Sequence, residues 1–160
     1  MTRLNHIQRE DAWIYDLRLL NGRIRRLKRI PSVRTRVVPA SKWRGWSYRC
    51  PAGDQVLRDL RGCLRDFYKV LDKDPAAPTL IHCSARFWLQ FMTIRPFLDG
   101  NRRTARTFLA RFFTQQGLTV KNFTPLKKFP TTGRLEEDLA QCQLALGRCL
   151  ATHPSQSNLP

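Results

Sequence analysis

Acidic residues are scarce in this chain. Twelve Asp and Glu stand against twenty-nine Lys and Arg, which gives a formal net charge of +17 over 160 residues. This excess excludes a charge-balanced surface and favours a polyanionic partner, a role that nucleic acid, an acidic protein surface or an anionic membrane would fill. A basic surface that only keeps the protein soluble is the plainer alternative. Residues 1–50 contribute +10 of the total, with thirteen basic and three acidic residues.

Long apolar runs are also missing. No run reaches the roughly 18 residues of a membrane span, so we expect no membrane-spanning segment and no membrane partner. The N-terminus lacks the apolar stretch of a secretory signal, and Glu10, Asp11 and Asp16 speak against a transit peptide. The remaining composition is 42% hydrophobic, with nine Phe and four Trp. That composition and length predict one domain, residues 1–160, with a sizeable core.

The five cysteines contain no CxxC pair, and their odd number leaves one unpaired under any pairing. We therefore expect buried, reduced thiols and no metal cluster. This predicts the cytoplasm or another reducing compartment, with delivery as an effector left open. LIHCSAR is similar to the loop of Cys-dependent phosphatases, but Leu89 stands at the place of the required arginine, so we interpret Cys83 as a core residue.

Hydrophobic spacing predicts an all-α fold with one small β-hairpin. The predicted helices cover about 8–29, 54–71, 79–93, 101–115 and 135–150. Pro31 would close the first helix, and Gly117 stands where a helix C-cap is expected after the fourth. RTRVV and WSYR, which flank PASKWRG, look like the two strands of a hairpin at about 34–49.

The outer face of the first predicted helix is strongly basic. It is either a solvated face or a surface that touches nucleic acid. The candidate nucleic-acid-binding residues are Arg23, Arg25, Arg26, Lys28 and Arg29. Trp43, Trp46 and Tyr48 stand among further basic residues and would either stack on bases or pack across the hairpin.

The stretch IRPFLDGNRRTARTFLARFF, residues 94–113, places a turn before an arginine-rich helix. Gly100 permits backbone angles that other residues avoid, and Asp99 and Asn101 suit turns and helix caps. The N–H groups of a first helical turn form an anion site, and arginine is well suited to phosphate. The pattern indicates a di- or triphosphate site with Asp99 able to hold Mg²⁺, or else a solvated basic helix end capped by Asp99. The arginines concerned are Arg102, Arg103 and Arg106.

Residues 95–106 run without a gap through a pattern that resembles the Fic family signature, HxFx(D/E)GNGRxxR. The flanking helices are similar to those of the family, so the resemblance covers roughly 34–118, with a Fic-like core at about 54–118. It implies a helical fold with a β-hairpin flap, and transfer of AMP from ATP to a hydroxyl of a target protein. Some relatives transfer other phosphate-containing groups, and the Doc branch is a kinase.

The same resemblance implies roles for individual residues. Asp99 would hold Mg²⁺, and the hairpin at about 34–49 would dock the target protein by strand addition. The residues that would line the ATP site are Phe97, Gly100, Asn101, Arg102, Arg103 and Arg106. Thr132 to Glu136 matches only the first part of the family's inhibitory helix, (S/T)xxxE(G/N), and we interpret it as an ordinary helix start.

Two positions depart from the family pattern. The catalytic histidine falls on Arg95, and a protonated arginine has no lone pair with which to act as a general base. The loss of such a base typically costs on the order of 10²–10⁴ in rate. His82 lies about three turns upstream, roughly 20 Å along the helix, and His6 and His153 lie near the ends. The second motif glycine is Arg102, which would crowd the phosphate site or act as the Doc-branch lysine does.

Three functions therefore stay open from the sequence. The first is a Fic-type protein adenylyltransferase that binds Mg²⁺ and ATP, weakened or silenced by Arg95. The second is an inactive Fic-fold protein that binds RNA or DNA, as part of a ribonucleoprotein. The third is a toxin or effector that binds a host protein without chemistry.

Overall fold

A computed structural model describes residues 6–34, 46–71, 75–127 and 129–151. These residues form six helices: α1 His6–Ile24, α2 Gln55–Leu71, α3 Ala77–Ile94, α4 Asn101–Gln115, α5 Thr124–Lys127 and α6 Leu135–Cys149. Within the described residues there is no sheet, and one antiparallel bridge joins Val120 to Leu150. The prediction of a mostly helical fold is confirmed. The short α5 was not predicted.

The small hairpin predicted at about 34–49 is not supported by the described residues. Residues 35–45 lie outside them, and residues 46–50 form no strand. Instead, the Ser47 N–H donates to the Thr131 hydroxyl at 2.6 Å. The Tyr48 hydroxyl donates to the Asp138 carboxylate at 2.6 Å. The chain at 46–50 therefore satisfies these polar groups against the start of α6 and needs no partner strand for them.

Helix α1 ends at Ile24, which corrects the predicted end near residue 29. Arg26 adopts a left-handed backbone with φ 53°. The Arg26 N–H donates to the Arg23 carbonyl and the Leu27 N–H to the Gly22 carbonyl, at 3.1 and 2.9 Å. This pair of bonds is a Schellman motif, which terminates the helix before Pro31 is reached. Lys28 and Arg29 consequently lie beyond the helix.

The core is built around α3, which packs on α2, α4 and α6. Aromatic rings fill the space between these helices, and the centroid of Phe67 lies 4.8–5.5 Å from those of Phe87, Phe108 and Phe112. Each fully buried side chain of this kind contributes roughly 1.5–3 kcal/mol. The apolar side of α1 is buried against α2 and α4. No described helix combines the length and the apolar character that crossing a bilayer requires.

Candidate phosphate site

The sequence motif, residues 95–106, covers the turn between α3 and α4 and the start of α4. Arg95 forms the C-cap of α3 with φ 48°, and Gly100 forms the N-cap of α4 with φ 79°. A left-handed backbone suits glycine, but it costs a residue such as arginine roughly 1–2 kcal/mol. Contacts around Arg95 must therefore hold that end of the turn.

Asn101 fixes the shape of the turn from inside. Its side-chain carbonyl accepts from the Phe97 N–H at 2.9 Å, and its amide donates to the Phe97 carbonyl at 2.7 Å. Both residues are buried, Phe97 within the apolar core. The structure therefore places these two predicted nucleotide-binding residues as the internal support of the turn.

Arg95 is buried, with 1% of its surface exposed. Its Nε donates to the Met92 carbonyl at 2.9 Å, and its guanidinium lies 6.0 Å from the centre of the Trp46 ring. Arg34 donates to the carbonyls of Ile94 and Arg95, both at 2.5 Å. Two arginines thus bind the carbonyl end of α3, where the helix dipole favours positive charge.

This environment makes Arg95 a helix cap and excludes it as a base. Burial lowers the pKa of Arg95 to about 10, and the neighbouring Arg102 and Arg34 act in the same direction, while a hydrogen bond with Cys50 opposes them. The guanidinium still carries its proton at neutral pH and offers no lone pair. Position 95 cannot remove a proton from an attacking hydroxyl.

The first two turns of α4 present a different surface. Arg103 is half exposed, and Arg102 and Arg106 are partly exposed. Burial lowers the pKa of Arg102, with repulsion from Arg106 adding to the effect. Positive charges lie close together at this end of α4, and a bound anion would reduce their repulsion. Three arginines at a helix N-terminus are suited to hold a polyphosphate.

Asp99 is the carboxylate beside this turn, and its side chain is 67% exposed. Its Oδ2 lies 3.6 Å from the Arg103 guanidinium and 3.8 Å from the Arg25 Nε. Among the described residues, no cluster of three or more His, Cys, Asp or Glu is placed to hold a metal. A single carboxylate nevertheless suits Mg²⁺, which commonly combines one or two carboxylates with phosphate oxygens and water.

The end of α1 packs directly onto the turn. The buried Asn21 donates to the Asp99 carbonyl at 3.0 Å and to the Thr104 hydroxyl at 2.9 Å. A Cβ added to Gly100 would lie 2.9 Å from the Asn21 amide and 3.2 Å from the Arg25 side chain. Glycine is therefore required at position 100 both for its backbone angle and for this close approach.

Two residues of this site were not predicted from the sequence. Asn21 interrupts the apolar side of α1 between Leu20 and Ile24, and a polar residue at such a position is a signal for a buried hydrogen bond. Arg34 was assigned to the hairpin, and no pattern in the sequence indicated that it caps α3. Arg25 was assigned to nucleic-acid binding only, whereas the structure brings it to Asp99.

The remaining candidates lie away from the turn or serve packing. His82 is exposed twelve residues before Ile94 on α3, where its ring faces the Gln143 amide. Trp46 packs edge-on against Tyr48, with ring centres 6.0 Å apart. The Cys83 thiol is buried, donates to the Leu80 carbonyl, and has a pKa raised by burial to about 11, as a core residue should.

The start of α6 behaves as an ordinary helix start. Glu136 is exposed, and Glu137 pairs with Arg134 at 2.8 Å. Asp138 instead accepts the N–H groups of Thr132 and Gly133 at 2.7 and 3.1 Å. Burial alone would raise the pKa of Asp138, but the hydrogen bonds from Tyr48, Thr132 and Gly133 bring it below its usual value.

Comparison with known proteins gives one relationship. The model of the Fic/DOC family matches residues 9–113, which is well over half of the chain. The match begins within α1, so it reaches further toward the N-terminus than the resemblance estimated from the motif. No curated protein and no solved structure matches the chain. The family match and the motif turn between α3 and α4 agree, and the chain belongs to the Fic/DOC family.

Proposed function

We propose that this protein is a Fic-like domain that binds Mg²⁺ and ATP at the start of α4 and transfers AMP or phosphate to a protein hydroxyl slowly or not at all. The observation that supports this proposal is the contrast inside one motif. Arg103 near the start of α4 is exposed, and Arg102 and Arg106 are partly exposed, whereas Arg95 is buried as a cap of α3.

Binding would rest on four side chains of the turn. Arg103 and Arg106 would neutralise phosphate oxygens, and Arg102 would add a third guanidinium close to them. Asp99 would be the protein's ligand to Mg²⁺, which would supply further charge neutralisation when bound. Arg103 would then leave Asp99 for the phosphate, because its present 3.6 Å contact is an exposed and weak ion pair.

In the transfer reaction, no positioned side chain would remove the proton from the attacking hydroxyl. Among the described residues near the turn, Asp99 is the single carboxylate, and it is committed to the metal in this proposal. What remains is the electrostatic stabilisation that three arginines give to a reacting phosphoryl group. We therefore expect a rate lower than that of a complete site by about 10²–10⁴.

Radiolabel transfer tests this function. The purified protein, freed of nucleic acid, is incubated with Mg²⁺ and α-labelled ATP in a cell extract, beside Arg95→His and the control Arg95→Gln. We expect weak or absent labelling by the native protein and by Arg95→Gln, and clear labelling by Arg95→His. Strong labelling by the native protein would refute the silencing role of Arg95. If none of the three labels a protein, transfer is excluded, and ATP binding must be measured separately.

Docking of a target protein on residues 34–49, and binding of a host protein without chemistry, both stay predictions. They rest on a segment that lies largely outside the described residues. The expected reducing compartment also stays a prediction. The five cysteines are free thiols, which agrees with it.

A further inference from the structure

Positive charge concentrates where the end of α1 meets the start of α4. Residues 23–29 contain five basic and no acidic side chains, and residues 99–106 contain three basic and one acidic. Seven of these eight basic residues are arginine. We call the two segments together the α1–α4 basic surface. In the sequence these two segments lie almost eighty residues apart.

The fold joins the two segments by direct contacts. Arg25 lies 3.8 Å from Asp99, and its side chain would lie 3.2 Å from a Cβ added at Gly100. Asn21 donates to the Asp99 carbonyl of the same turn. Arg23, Arg26 and Arg103 are exposed around this junction. The anion site at the start of α4 is therefore one end of a longer basic surface.

The charge of this surface exceeds what one nucleotide can neutralise. Asp99 is the single acidic residue of the two segments, and it is already shared between Arg25 and Arg103. Clustered cations of this kind repel one another unless a polyanion lies across them. The exposed Arg26, Lys28 and Arg29 lie beyond the end of α1 and outside the motif turn.

Arginine-rich composition favours nucleic acid over an anionic membrane. Guanidinium groups bind phosphate in a bidentate manner and also stack on bases. A helix that lies on a membrane needs a free apolar face. The apolar side of α1 is not free, because Ile14, Leu17 and Leu20 are buried in the protein.

We propose that the α1–α4 basic surface binds the phosphate backbone of nucleic acid, and that the strand occupies the same site at α4 as ATP. Phosphates would contact residues 23–29 and continue to Arg103 and Arg106. This inference extends the proposed phosphate site, and it requires no transfer activity. Nucleic acid and ATP would exclude one another at the start of α4.

Fluorescence anisotropy at several salt concentrations tests the proposal. The probes are a labelled single-stranded RNA, the matching single-stranded DNA and the DNA duplex. The variants are Arg26→Gln with Arg29→Gln on one segment, and Arg103→Gln with Arg106→Gln on the other. The control is Lys121→Gln with Arg148→Gln. Lys121 and Arg148 are exposed side chains at or beside α6. Helix α6 packs on α3 and α5, so these residues lie outside the α1–α4 basic surface. Circular dichroism verifies that each variant is folded.

We expect the logarithm of the binding constant to fall with the logarithm of salt with a slope of roughly −3 to −6, for five to eight phosphates at about 0.7 each on single strands. Each pair of substitutions on the surface should weaken binding and reduce the slope by roughly 1–2. The control pair should change the slope little. Comparison of the three probes decides between single-stranded and duplex partners.

Several results would overturn the proposal. Equal weakening by the control pair would show that the whole charge of the protein acts without a defined surface. If only one of the two surface pairs weakens binding, the two segments do not form one binding surface for nucleic acid. Tighter binding to anionic vesicles than to every nucleic acid would assign the surface to a membrane. Unchanged nucleic-acid affinity in saturating Mg²⁺ and ATP would refute the shared site. Failure of ATP to bind, with the nucleic-acid results as expected, would refute the proposed function alone.

Discussion

The two ends of the motif turn have opposite environments. At the α3 end, Arg95 is buried, bonds a helix carbonyl and lies beside Trp46. At the α4 end, Arg103 is half exposed and Asp99 more so. The same residue type therefore serves as a cap at one end and as an available cation at the other. Burial and neighbouring groups determine the chemistry of each arginine. The environments of the two ends favour phosphate binding over proton transfer.

The sharpest test of the α4 end is Gly100→Ala. The left-handed backbone costs roughly 1–2 kcal/mol, and the close approach of Asn21 and Arg25 adds overpacking of roughly 1–3 kcal/mol. Gly117→Ala is the matched control, because its φ is +72° and nothing lies within 4 Å of an added Cβ. Urea denaturation of both variants isolates the contribution of the α1 contact. Equal losses of stability would show that α1 does not press on the turn.

Asn101→Ala should detach the turn from its internal support. The buried N–H and carbonyl of Phe97 would both lose their partner, at a cost of about 2–4 kcal/mol. Asn122→Ala is the control, since that exposed amide carbonyl accepts the Thr124 N–H, and the loss of this bond should cost about 0.5–1 kcal/mol. Thermal unfolding compares the two. A small loss for Asn101→Ala would mean that the helices alone determine the turn.

As the pH falls, the α3 end of the motif turn should open before the α4 end. Asp138 holds Tyr48, and through it the segment that places Trp46 beside Arg95. Because its folded pKa is depressed, the stabilisation from Asp138 is complete above its unfolded pKa of about 3.9 and is lost as the pH falls through the lower folded value. Hydrogen exchange at residues 46–50 and 101–106, measured across this range, checks the order. Simultaneous opening would contradict it.

The sequence was sufficient for the elements that carry local signals. Gly117 ends α4 with a left-handed backbone, as its position after an amphipathic helix predicted. The motif turn was also predicted, because Asp99, Gly100 and Asn101 are turn and cap residues. The end of α1 was not, because a Schellman motif with arginine in place of glycine has no clear sequence signal.

The sequence could not show which distant segments meet. Arg25 and Asp99 are brought together by the packing of α1 on α4, and nothing local in either segment indicates the other. The burial of Arg95 has the same origin, since it depends on Arg34 and Trp46 from remote parts of the chain. Long-range packing therefore determines the chemistry of the site, and local patterns determine only its backbone.

Isothermal titration of the protein with ATP, with and without Mg²⁺, measures binding at the start of α4. We predict that the native protein binds ATP and that Asp99→Asn removes the effect of Mg²⁺. Loss of Arg103 and Arg106 should weaken binding by at least about 100-fold, given about 1.5–3 kcal/mol for each charged hydrogen bond. Arg95→Gln should weaken binding much less than the loss of Arg103 and Arg106, because Arg95 is buried and donates to a carbonyl of α3. Absence of ATP binding by the native protein, or its loss in Arg95→Gln but not in the Arg103 and Arg106 variant, would refute an ATP site at the start of α4.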